Sequence, residues 1–343
     1  MTPDRHRGDQ TDHDPEEPPH MERHTLAGTD LSISRVVFGT MTFGAQVDEA
    51  EATEMVARCR DAGITAFDTS NNYAGGASEE ILGRIVKPFR DEIVLSTKAG
   101  SHVDQADASV AGLSRTALNH AVEGSLRRLG VDHIDVFYLH RPDPNTPVEE
   151  TLAALDELVR SGKVRHVGQS NFAAWQITEM LYLARANGWP EIRISQPMYN
   201  LLGRRVEVEY AACARRLGLS SITYNPLAGG LLTGKHRPDA DPAPGTRFSK
   251  AMYRDRYWNP VQFEAIDRLR GVAEQAGLTL IELALRWVYS RPLTDAMLLG
   301  ASSIDQLTAN LGALDGPPPG PDVLSACDDV WAGLEGAAPH YNR

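Results

Sequence analysis

The feature that most constrains this chain is a regular alternation of short apolar runs with helical patterns along almost its whole length. Apolar runs without a polar face predict parallel strands that are covered by helices. We predict strands at residues 36–38, 64–67, 93–98, 134–140, 164–169, 192–196, 222–224 and 297–299. About eight such strand–helix units favour an α/β fold of the closed (β/α)8 TIM-barrel type over an open doubly wound sheet. The first strand is not followed by G-x-G-x-x-G, which also counts against a Rossmann domain.

Residues typical of helix ends frame the segments between the strands. Asp48 and Glu51 predict a capped helix start, and Gly63 predicts the end of that helix. Thr146 and Glu149 have capping-box spacing and predict the start of another helix. The remaining helices are predicted at residues 78–86, 114–129, 173–186, 204–217, 260–276, 280–290 and 303–314. The pattern therefore supplies the outer layer that a parallel barrel needs.

The domain organisation follows from length and local composition. A chain of 343 residues forms one large domain or two. Residues 1–22 are charged, contain proline and almost lack large apolar side chains, so we predict a disordered tail there. A short hairpin is predicted at residues 26–33, with Gly28 at its turn. We expect a single (β/α)8 domain over residues 23–343, with this N-terminal hairpin and a C-terminal tail.

Charge and cysteine content narrow the class of protein. The net charge of −12 argues against a nucleic-acid binder. Cys59, Cys213 and Cys327 are far apart and show neither metal-ligand spacing nor a disulfide framework, which indicates a reducing compartment. No apolar run approaches ~18 residues, and the N-terminal stretch lacks the apolar segment of a signal peptide. We therefore expect a soluble, cytoplasmic protein with no metal site and no membrane or nucleic-acid partner.

Four polar residues stand out at the ends of consecutive predicted strands. Asp68, Lys98 and His140 each end a strand, and Tyr73 lies in the polar loop after the first of them. The carboxyl ends of barrel strands share one face, so these side chains converge. Taken singly, each has a structural explanation: a helix cap, a surface tyrosine, a solvated amine or a structural imidazole. Their convergence on one rim favours a catalytic site.

The chemistry of this group suits proton transfer to a developing alkoxide. A free tyrosine has a pKa of ~10, and an ammonium group beside it is expected to lower that pKa. Asp68 would hold Lys98 charged and aimed, and His140 would donate a hydrogen bond to a substrate carbonyl oxygen. None of these groups supplies hydride, so the site requires a cofactor.

The later strand ends carry residues suited to binding that cofactor. Ser170, Asn171 and Gln196 offer polar groups for a carboxamide, although caps and turns also use such residues. The segment YNPLAGGLLTGK (224–235) offers the flat ring of Tyr224, glycines that admit a pyrophosphate, and the charge of Lys235. Its spacing is not that of a Walker A motif. Residues 300–306 start the last barrel helix with hydroxyl groups, which is typical of an anion site.

At this point the sequence resembles a known family, the NADPH-dependent aldo-keto reductases, from about residue 26 to residue 343. Within it the chain is most similar to the aflatoxin-aldehyde and succinic-semialdehyde reductase branch. The segments that carry the resemblance are HRPDPNTPVEET (140–151), SNFAAW (170–175), QPMYN (196–200), YNPLAGGLLTGK (224–235), YRDRYW (253–258), LGASSIDQLTANL (299–311) and PHYNR (339–343). The resemblance implies a catalytic tetrad of Asp68, Tyr73, Lys98 and His140. It implies cofactor contacts from Ser170, Asn171, Gln196, Tyr224, Asn225, Pro226, Leu227, Gly229, Gly230, Leu231, Gly234, Lys235, Arg247, Gly300, Ser302, Ser303, Gln306 and Asn310.

One departure concerns the cofactor's 2′-phosphate. Many relatives place a basic residue within the segment 300–306, whereas this chain has Gly300, Ser303 and Gln306 at those positions. The branch it resembles also has serines there and uses an arginine from the long loop after the seventh strand. That arginine corresponds to Arg247, in a loop that is shorter here. The resemblance therefore still favours NADPH over NADH.

The resemblance also implies a substrate class and a set of alternatives. It places Tyr253, Arg256 and Arg343 in the substrate pocket, where arginine can hold a carboxylate bidentately. Surface charges on a loop and tail are the plainer explanation. Trp258 and Phe43 are candidate apolar walls, or plain core. We expect a carboxylate-bearing or dicarbonyl aldehyde as the small-molecule substrate, and a homodimer is the assembly that this branch forms.

Three functions compete at the level of sequence. The first is NADPH-dependent reduction of aldehydes to alcohols, with the proton from Tyr73. The second is a barrel aldolase that uses Lys98 as a Schiff-base nucleophile, which the cofactor-type residues disfavour. The third is a regulatory protein like the potassium-channel β subunits, which resemble this family. We find no dedicated partner-docking segment in the sequence.

Overall fold

The computed structural model describes residues 21–101, 111–242 and 245–337, and a closed parallel barrel occupies most of them. The strands within these ranges are β1 (Arg23–Thr25), β2 (Ser32–Ser34), β3 (Val36–Gly39), β4 (Ala66–Asp68), β5 (Val94–Ala99), β6 (Ile134–Leu139), β7 (Val164–Ser170), β8 (Ile194–Gln196), β9 (Ser220–Tyr224) and β10 (Ala296–Gly300). Strands β3 to β10 form the barrel in sequence order, and β10 closes it by pairing with β3. The prediction of a (β/α)8 barrel is therefore confirmed.

Helices cover the barrel on its outside. In the described part of the chain they are α1 (Glu49–Asp61), α2 (Ala77–Val86), α3 (Arg115–Leu129), α4 (Val148–Arg160), α5 (Ala174–Asn187), α6 (Tyr210–Leu217), α7 (Ala251–Tyr257), α8 (Pro260–Gln275), α9 (Leu280–Ser290), α10 (Ile304–Gly312) and α11 (Pro321–Glu335). Asp48 accepts the amide of Glu51 at 2.9 Å, so the predicted cap of α1 is confirmed. None of these helices has both the length and the apolarity needed to cross a membrane.

The helix predictions differ from the structure in four places. The capping box at Thr146 does not form, because its hydroxyl donates to Asp143 Oδ2 at 2.7 Å and α4 starts after Pro147. The single helix predicted over 204–217 is a short 3-10 turn (Arg205–Glu207) followed by α6. Helices α7 and α11 were not predicted. Both lie outside the strand–helix alternation, α7 in the long loop after β9 and α11 after the last barrel unit, where it packs on α8.

The interior of the barrel is filled with side chains rather than open. Tyr138 of β6 lies beside Lys98 on one side and Gly168 on the other. A Cβ atom at Gly168 would lie 2.5 Å from the Tyr138 ring, so this position has to be glycine. The hairpin β1–β2 covers the opposite end of the barrel, where Leu26 and Ile33 join the same interior cluster. In barrels of this type the chemistry lies at the carboxyl ends of the strands, the end away from this hairpin.

The boundary of the predicted tail falls close to the start of the described residues. Met21 packs against the core, and Glu22 accepts hydrogen bonds from the backbone and side chain of Arg35 at 2.8 Å. Residues 1–20 of the predicted tail lie outside the described residues. So does the C-terminal segment 339–343, including the predicted substrate residue Arg343.

Candidate active site

The floor of the site is a buried ion pair between β4 and β5. Asp68 ends β4, Lys98 lies near the end of β5, and each side chain is 1% exposed. Nζ of Lys98 pairs with Oδ1 of Asp68 and donates to the carbonyl of Thr69 at 2.8 Å. Oδ2 of Asp68 accepts from Ser96 Oγ at 2.8 Å and from Gln196 Nε2 at 3.1 Å. Because both carboxylate oxygens are bonded, the position of the amine is closely fixed.

A tight turn after β4 brings Tyr73 to this ion pair. The amide of Asn71 donates to the carbonyl of Lys98 at 3.1 Å, which fastens the segment to β5. Ala74 then adopts the left-handed conformation, with φ 49°, inside the turn Tyr73–Gly76. The result is a distance of 3.5 Å between the Tyr73 hydroxyl and Nζ of Lys98. A phenol and an ammonium group are thus in direct contact.

His140 completes the group at the end of β6. Its amide donates to the carbonyl of Ala99 at 2.8 Å, and its ring stands edge-on to Tyr73, 6.1 Å between centroids. Nδ1 lies 3.3 Å from Ser70 Oγ. This contact leaves Nε2 as the ring nitrogen that can face a ligand. The structure therefore brings together Asp68, Tyr73, Lys98 and His140, as predicted.

The ionisation of these groups differs in one respect from the sequence-based expectation. Burial raises the pKa of Tyr73 above its usual value, and the opposing effect of Lys98 only partly offsets it. Burial also works against the charge of Lys98, but Asp68 outweighs it and raises the pKa of the amine. Burial, and then the charge of Lys98, lowers the pKa of His140 to about 3. At neutral pH the site therefore holds a protonated phenol, a charged amine and a neutral imidazole.

The predicted carboxamide-binding residues are continuous with this group. Asn171 adopts φ 65°, its Nδ2 donates to the carbonyl of His140 at 2.8 Å, and its Oδ1 accepts from the Tyr224 hydroxyl at 2.7 Å. Ser170 Oγ donates to the carbonyl of Gln196 at 2.8 Å. The amide of Gln196, in turn, bonds Asp68. Because Asn171 Nδ2 also donates to Ser170 Oγ at 3.0 Å, one network of hydrogen bonds joins the ends of five strands, β4 and β6 to β9.

The glycine-rich turn, residues 225–235, shows why glycine is needed there. Gly229 and Gly230 have φ 70° and 103°, and a Cβ atom at Gly229 would lie 3.0 Å from the Tyr253 ring. The amide of Gly229 donates to Asn225 Oδ1 at 2.6 Å, and that of Gly230 donates to the carbonyl of Leu227 at 2.8 Å. These two amides are satisfied within the turn, so the glycines provide backbone shape and space rather than donors.

The start of α10 is already capped by the protein itself. Ser303 Oγ accepts the amide of Gln306 at 3.2 Å. Oε1 of Gln306 accepts from the amide and the hydroxyl of Ser302 at 3.1 and 3.0 Å. The amide of Ile304 donates to a carboxylate oxygen of Glu51, on α1, at 3.0 Å. The predicted anion site therefore contains an acidic side chain that the sequence alone did not reveal.

The segment 245–258, called the clasp here, lies across the mouth of the barrel. Gln46, after β3, donates to the carbonyl of Gly245 at its near end. Arg247 reaches Gly300, since a terminal nitrogen of its guanidinium group lies 3.5 Å from where a Cβ of that glycine would be. The guanidinium carbon also lies 5.9 Å from the ring centre of Tyr253. The structure thus places Arg247 beside the start of the last barrel unit.

Two predicted substrate residues of the clasp face the site. Burial is the main cause of the raised pKa of Tyr73, and the neighbouring Tyr253 is one of the smaller causes. Arg256 is half-buried, donates to Met198 Sδ at 3.3 Å, and lies near Tyr224. No carboxylate among the described residues forms an ion pair with Arg256. A half-buried guanidinium group without an acidic partner suits an anionic ligand.

The two candidate apolar walls belong to packed aromatic clusters. Trp258 lies 5.0 Å from Phe248 and 5.1 Å from Phe263, measured between ring centroids. Phe43 is fully buried beside Phe38. Both therefore serve core packing. The other predicted cofactor residues lie in the glycine-rich turn or on α10: Pro226, Leu231, Gly234, Lys235 and Asn310.

Sequence reasoning missed several residues that shape the site. Ser96 lies two residues before Lys98 on β5, so the alternation of side chains along a strand could have placed both on one face. Ser70 lies next to the predicted strand end and contacts His140. Met198 and Tyr257 lie within two segments that carry the resemblance, but no role was predicted for either, because their contacts depend on where α7 lies.

Comparison with known proteins finds a matching family model and several similar proteins. The model of the Aldo/keto reductase family matches residues 35–332. Aflatoxin B1 aldehyde reductase member 2 of Mus musculus is 35% identical over 325 residues, 90% of this chain and 87% of that protein. Aflatoxin B1 aldehyde reductase member 4 of Homo sapiens is 34% identical over 324 residues, 89% of this chain and 96% of that protein. A probable voltage-gated potassium channel subunit beta of Oryza sativa subsp. japonica is 35% identical over 306 residues, 86% of this chain and 92% of that protein.

Proposed function

Because this chain belongs to the aldo/keto reductase family, we propose that it reduces aldehydes to alcohols with NADPH. The family makes it an oxidoreductase that acts on carbonyl groups. The observation that carries the proposal is the 3.5 Å contact between the Tyr73 hydroxyl and Nζ of Lys98. It joins an acid to the charge that stabilises its conjugate base.

The residues at the mouth fit a nicotinamide dinucleotide. Ser170, Asn171 and Gln196 present polar side chains beside the catalytic group, and Tyr224 adds a ring. When bound, the reduced dinucleotide supplies the hydride. These residues would hold it, with Arg247 placed for the 2′-phosphate of NADPH.

The side chains of this site would then handle the proton. With Ser70 Oγ donating to Nδ1, the neutral His140 ring carries its proton on Nε2, where it donates to the carbonyl oxygen and orients it. Tyr73 is a protonated phenol at neutral pH and gives its proton to the oxygen as negative charge develops there. Lys98 stabilises the phenolate that remains, and Asp68 keeps the amine charged. The buried ion pair thus prepares the site before a substrate arrives.

Tyr73→Phe tests this function. We expect loss of aldehyde reduction by a factor on the order of a thousand, because the proton donor is removed. NADPH affinity is expected to remain nearly intact, since the phenol is not among the proposed cofactor contacts. The measurement is the decay of NADPH absorbance with a panel of aldehydes and ketones, together with NADPH titration. Normal turnover by the variant would contradict Tyr73 as the acid.

Two other functions are less well supported. A Schiff-base aldolase needs a neutral amine, whereas Lys98 is ion-paired and its pKa is raised. Trapping with borohydride in the presence of substrate would detect such an intermediate. The similarity to channel β subunits favours a regulatory alternative, in which very slow turnover accompanies tight retention of the cofactor.

The substrate class and location are further parts of the proposal. Arg256 supports aldehydes that carry a carboxylate, because it is half-buried and without an acidic partner in the described part of the chain. Cys59, Cys213 and Cys327 are all free thiols, which suits a reducing compartment such as the cytoplasm.

A further inference from the structure

Tyr257, at the end of α7, is a buried residue whose hydroxyl group has three partners. Its ring is 1% exposed. The hydroxyl oxygen accepts from Asn225 Nδ2 at 2.9 Å and from Asn200 Nδ2 at 3.0 Å. Its proton is directed to Met198 Sδ at 3.3 Å. One donor and two acceptor positions are all that a hydroxyl has, so its capacity is fully used.

The side chain of Asn225 connects this hydroxyl to the glycine-rich turn. Its Nδ2 donates to Tyr257, and its Oδ1 accepts the amide of Gly229 at 2.6 Å. Its backbone has φ 66° and its carbonyl accepts from Asn200 Nδ2 at 3.0 Å. The Tyr257 hydroxyl uses its proton on Met198, so it can only accept from the Asn225 side chain. It therefore holds Nδ2 of Asn225 toward Tyr257 and leaves Oδ1 facing the amide of Gly229.

Helix α7 touches the turn at a second point. Tyr253 precedes Tyr257 by four residues, so the two side chains project from the same face of the helix. The Tyr253 ring lies against Gly229, while the Tyr257 hydroxyl holds Asn225. Helix α7 therefore contacts the glycine-rich turn at two residues, Gly229 and Asn225.

We propose that Tyr257 is a positioning residue for cofactor binding, which acts by locking the Asn225 amide and thereby the glycine-rich turn. The inference rests on the proposed function, because the turn matters only if it receives the dinucleotide. Tyr257 needs no contact with cofactor or substrate for this role. Without the hydroxyl, two buried amide donors lose their acceptor, and the Asn225 amide can rotate and present N–H to the N–H of Gly229.

The test compares Tyr257→Phe with wild type. We expect the Kd for NADPH, measured by quenching of protein fluorescence, to rise about tenfold. The turnover rate at saturating NADPH and aldehyde, and its pH profile, are expected to stay the same because the Tyr73 site is untouched. Tyr182→Phe is the matched control, since this tyrosine is 73% exposed on α5. A lower melting temperature with unchanged Kd would overturn the proposal.

A second variant separates positioning from a general loss of packing. Asn225→Gly removes the amide and tolerates the left-handed backbone. We expect it to weaken NADPH binding by a similar factor, and the double variant Asn225→Gly/Tyr257→Phe to be no weaker than Asn225→Gly alone. Additive losses would overturn the coupling. Should Tyr257→Phe fail to fold, an unchanged Kd in Asn225→Gly would overturn it as well.

The proposed function fails in a different way. A wild-type chain that binds no NADPH overturns both the function and this inference. A wild-type chain that binds NADPH and reduces aldehydes, with variants of equal affinity, overturns only the inference.

Discussion

The proposed catalytic rim, which consists of Asp68, Tyr73, Lys98 and His140, is built differently from the clasp. Asp68 and Lys98 project from neighbouring barrel strands, and their relative position follows from the register of β4 and β5. Arg247 and Arg256 sit on a loop and a helix of seven residues, held to the barrel by side-chain contacts such as those of Tyr257. The residues proposed for proton transfer are thus positioned by the barrel strands, while those proposed for cofactor and substrate selectivity are positioned by the clasp.

The difference predicts that a substitution at the rim lowers both turnover and stability by a large amount, whichever substrate is used. Lys98→Met leaves the Asp68 carboxylate buried without its cation. We expect turnover to fall by a factor on the order of a thousand and the free energy of unfolding to fall by about 3–5 kcal/mol. Steady-state kinetics and urea unfolding measure the two effects. Lys250→Met, at an exposed clasp position, is the control, and equal losses in both variants would contradict the contrast.

The burial of His140 at the rim also predicts how the stability of the protein depends on pH. His140 binds a proton with a pKa of about 6.5 when unfolded but about 3 in the folded chain. Between these values the unfolded state binds more protons, so folded-state stability is lost as the pH falls below about 6.5. We expect His140→Gln to remove part of this loss, up to about 2 kcal/mol at pH of about 5. Urea unfolding at neutral and acidic pH measures this difference. If the free energy of unfolding falls equally with pH in wild type and variant, His140 is not the group responsible.

At the clasp, by contrast, the expected effect depends on the substrate. Arg256→Met should lower kcat/KM about tenfold or more for an ω-carboxy aldehyde, because a charge-assisted contact is lost. The uncharged alkyl aldehyde of the same length should be nearly unaffected. Arg254→Met, an exposed change on the same helix, is the control. Equal losses for both aldehydes would show that Arg256 supports the fold rather than a carboxylate.

The smallest effect is expected between the clasp and α10. Arg247→Ala should weaken NADPH binding more than NADH binding, since only NADPH carries the 2′-phosphate. Glu51→Gln should act in the opposite direction and favour NADPH by about threefold, because it removes a negative charge at the start of α10. Parallel titrations with both dinucleotides measure the ratio. If both variants shift it the same way, the 2′-phosphate binds elsewhere.

The barrel strands and the residues at their ends could be predicted from the sequence, whereas the position of the clasp could not. The end of β4 at Asp68 and the approach of Lys98 follow from apolar runs whose ends must meet on one face of a barrel. The balance of burial and charge at Tyr73 did not follow, because burial depends on what lies above the site. Burial raises the pKa of Tyr73 by more than Lys98 lowers it, so the expected effect of Lys98 is present but is outweighed.

The clasp required information that no local pattern carries. The partner of Arg256 is Met198, which lies 58 residues away in the sequence, and the contact depends on the path of the loop that carries α7. Outside the clasp, the contact between Glu51 and the start of α10 also joins residues that are remote in the sequence. Arg247 was found only through resemblance to a family, and its place beside Gly300 depends on the path of the clasp.

The filled barrel beneath Lys98 limits how selectivity can change. Tyr138 occupies the space that Gly168 leaves, so a longer substrate cannot extend downward. Any gain in accommodated length must come sideways, toward residues 245–258. Exchanging the clasp between relatives should therefore transfer the preference for substrate length without changing proton transfer from Tyr73.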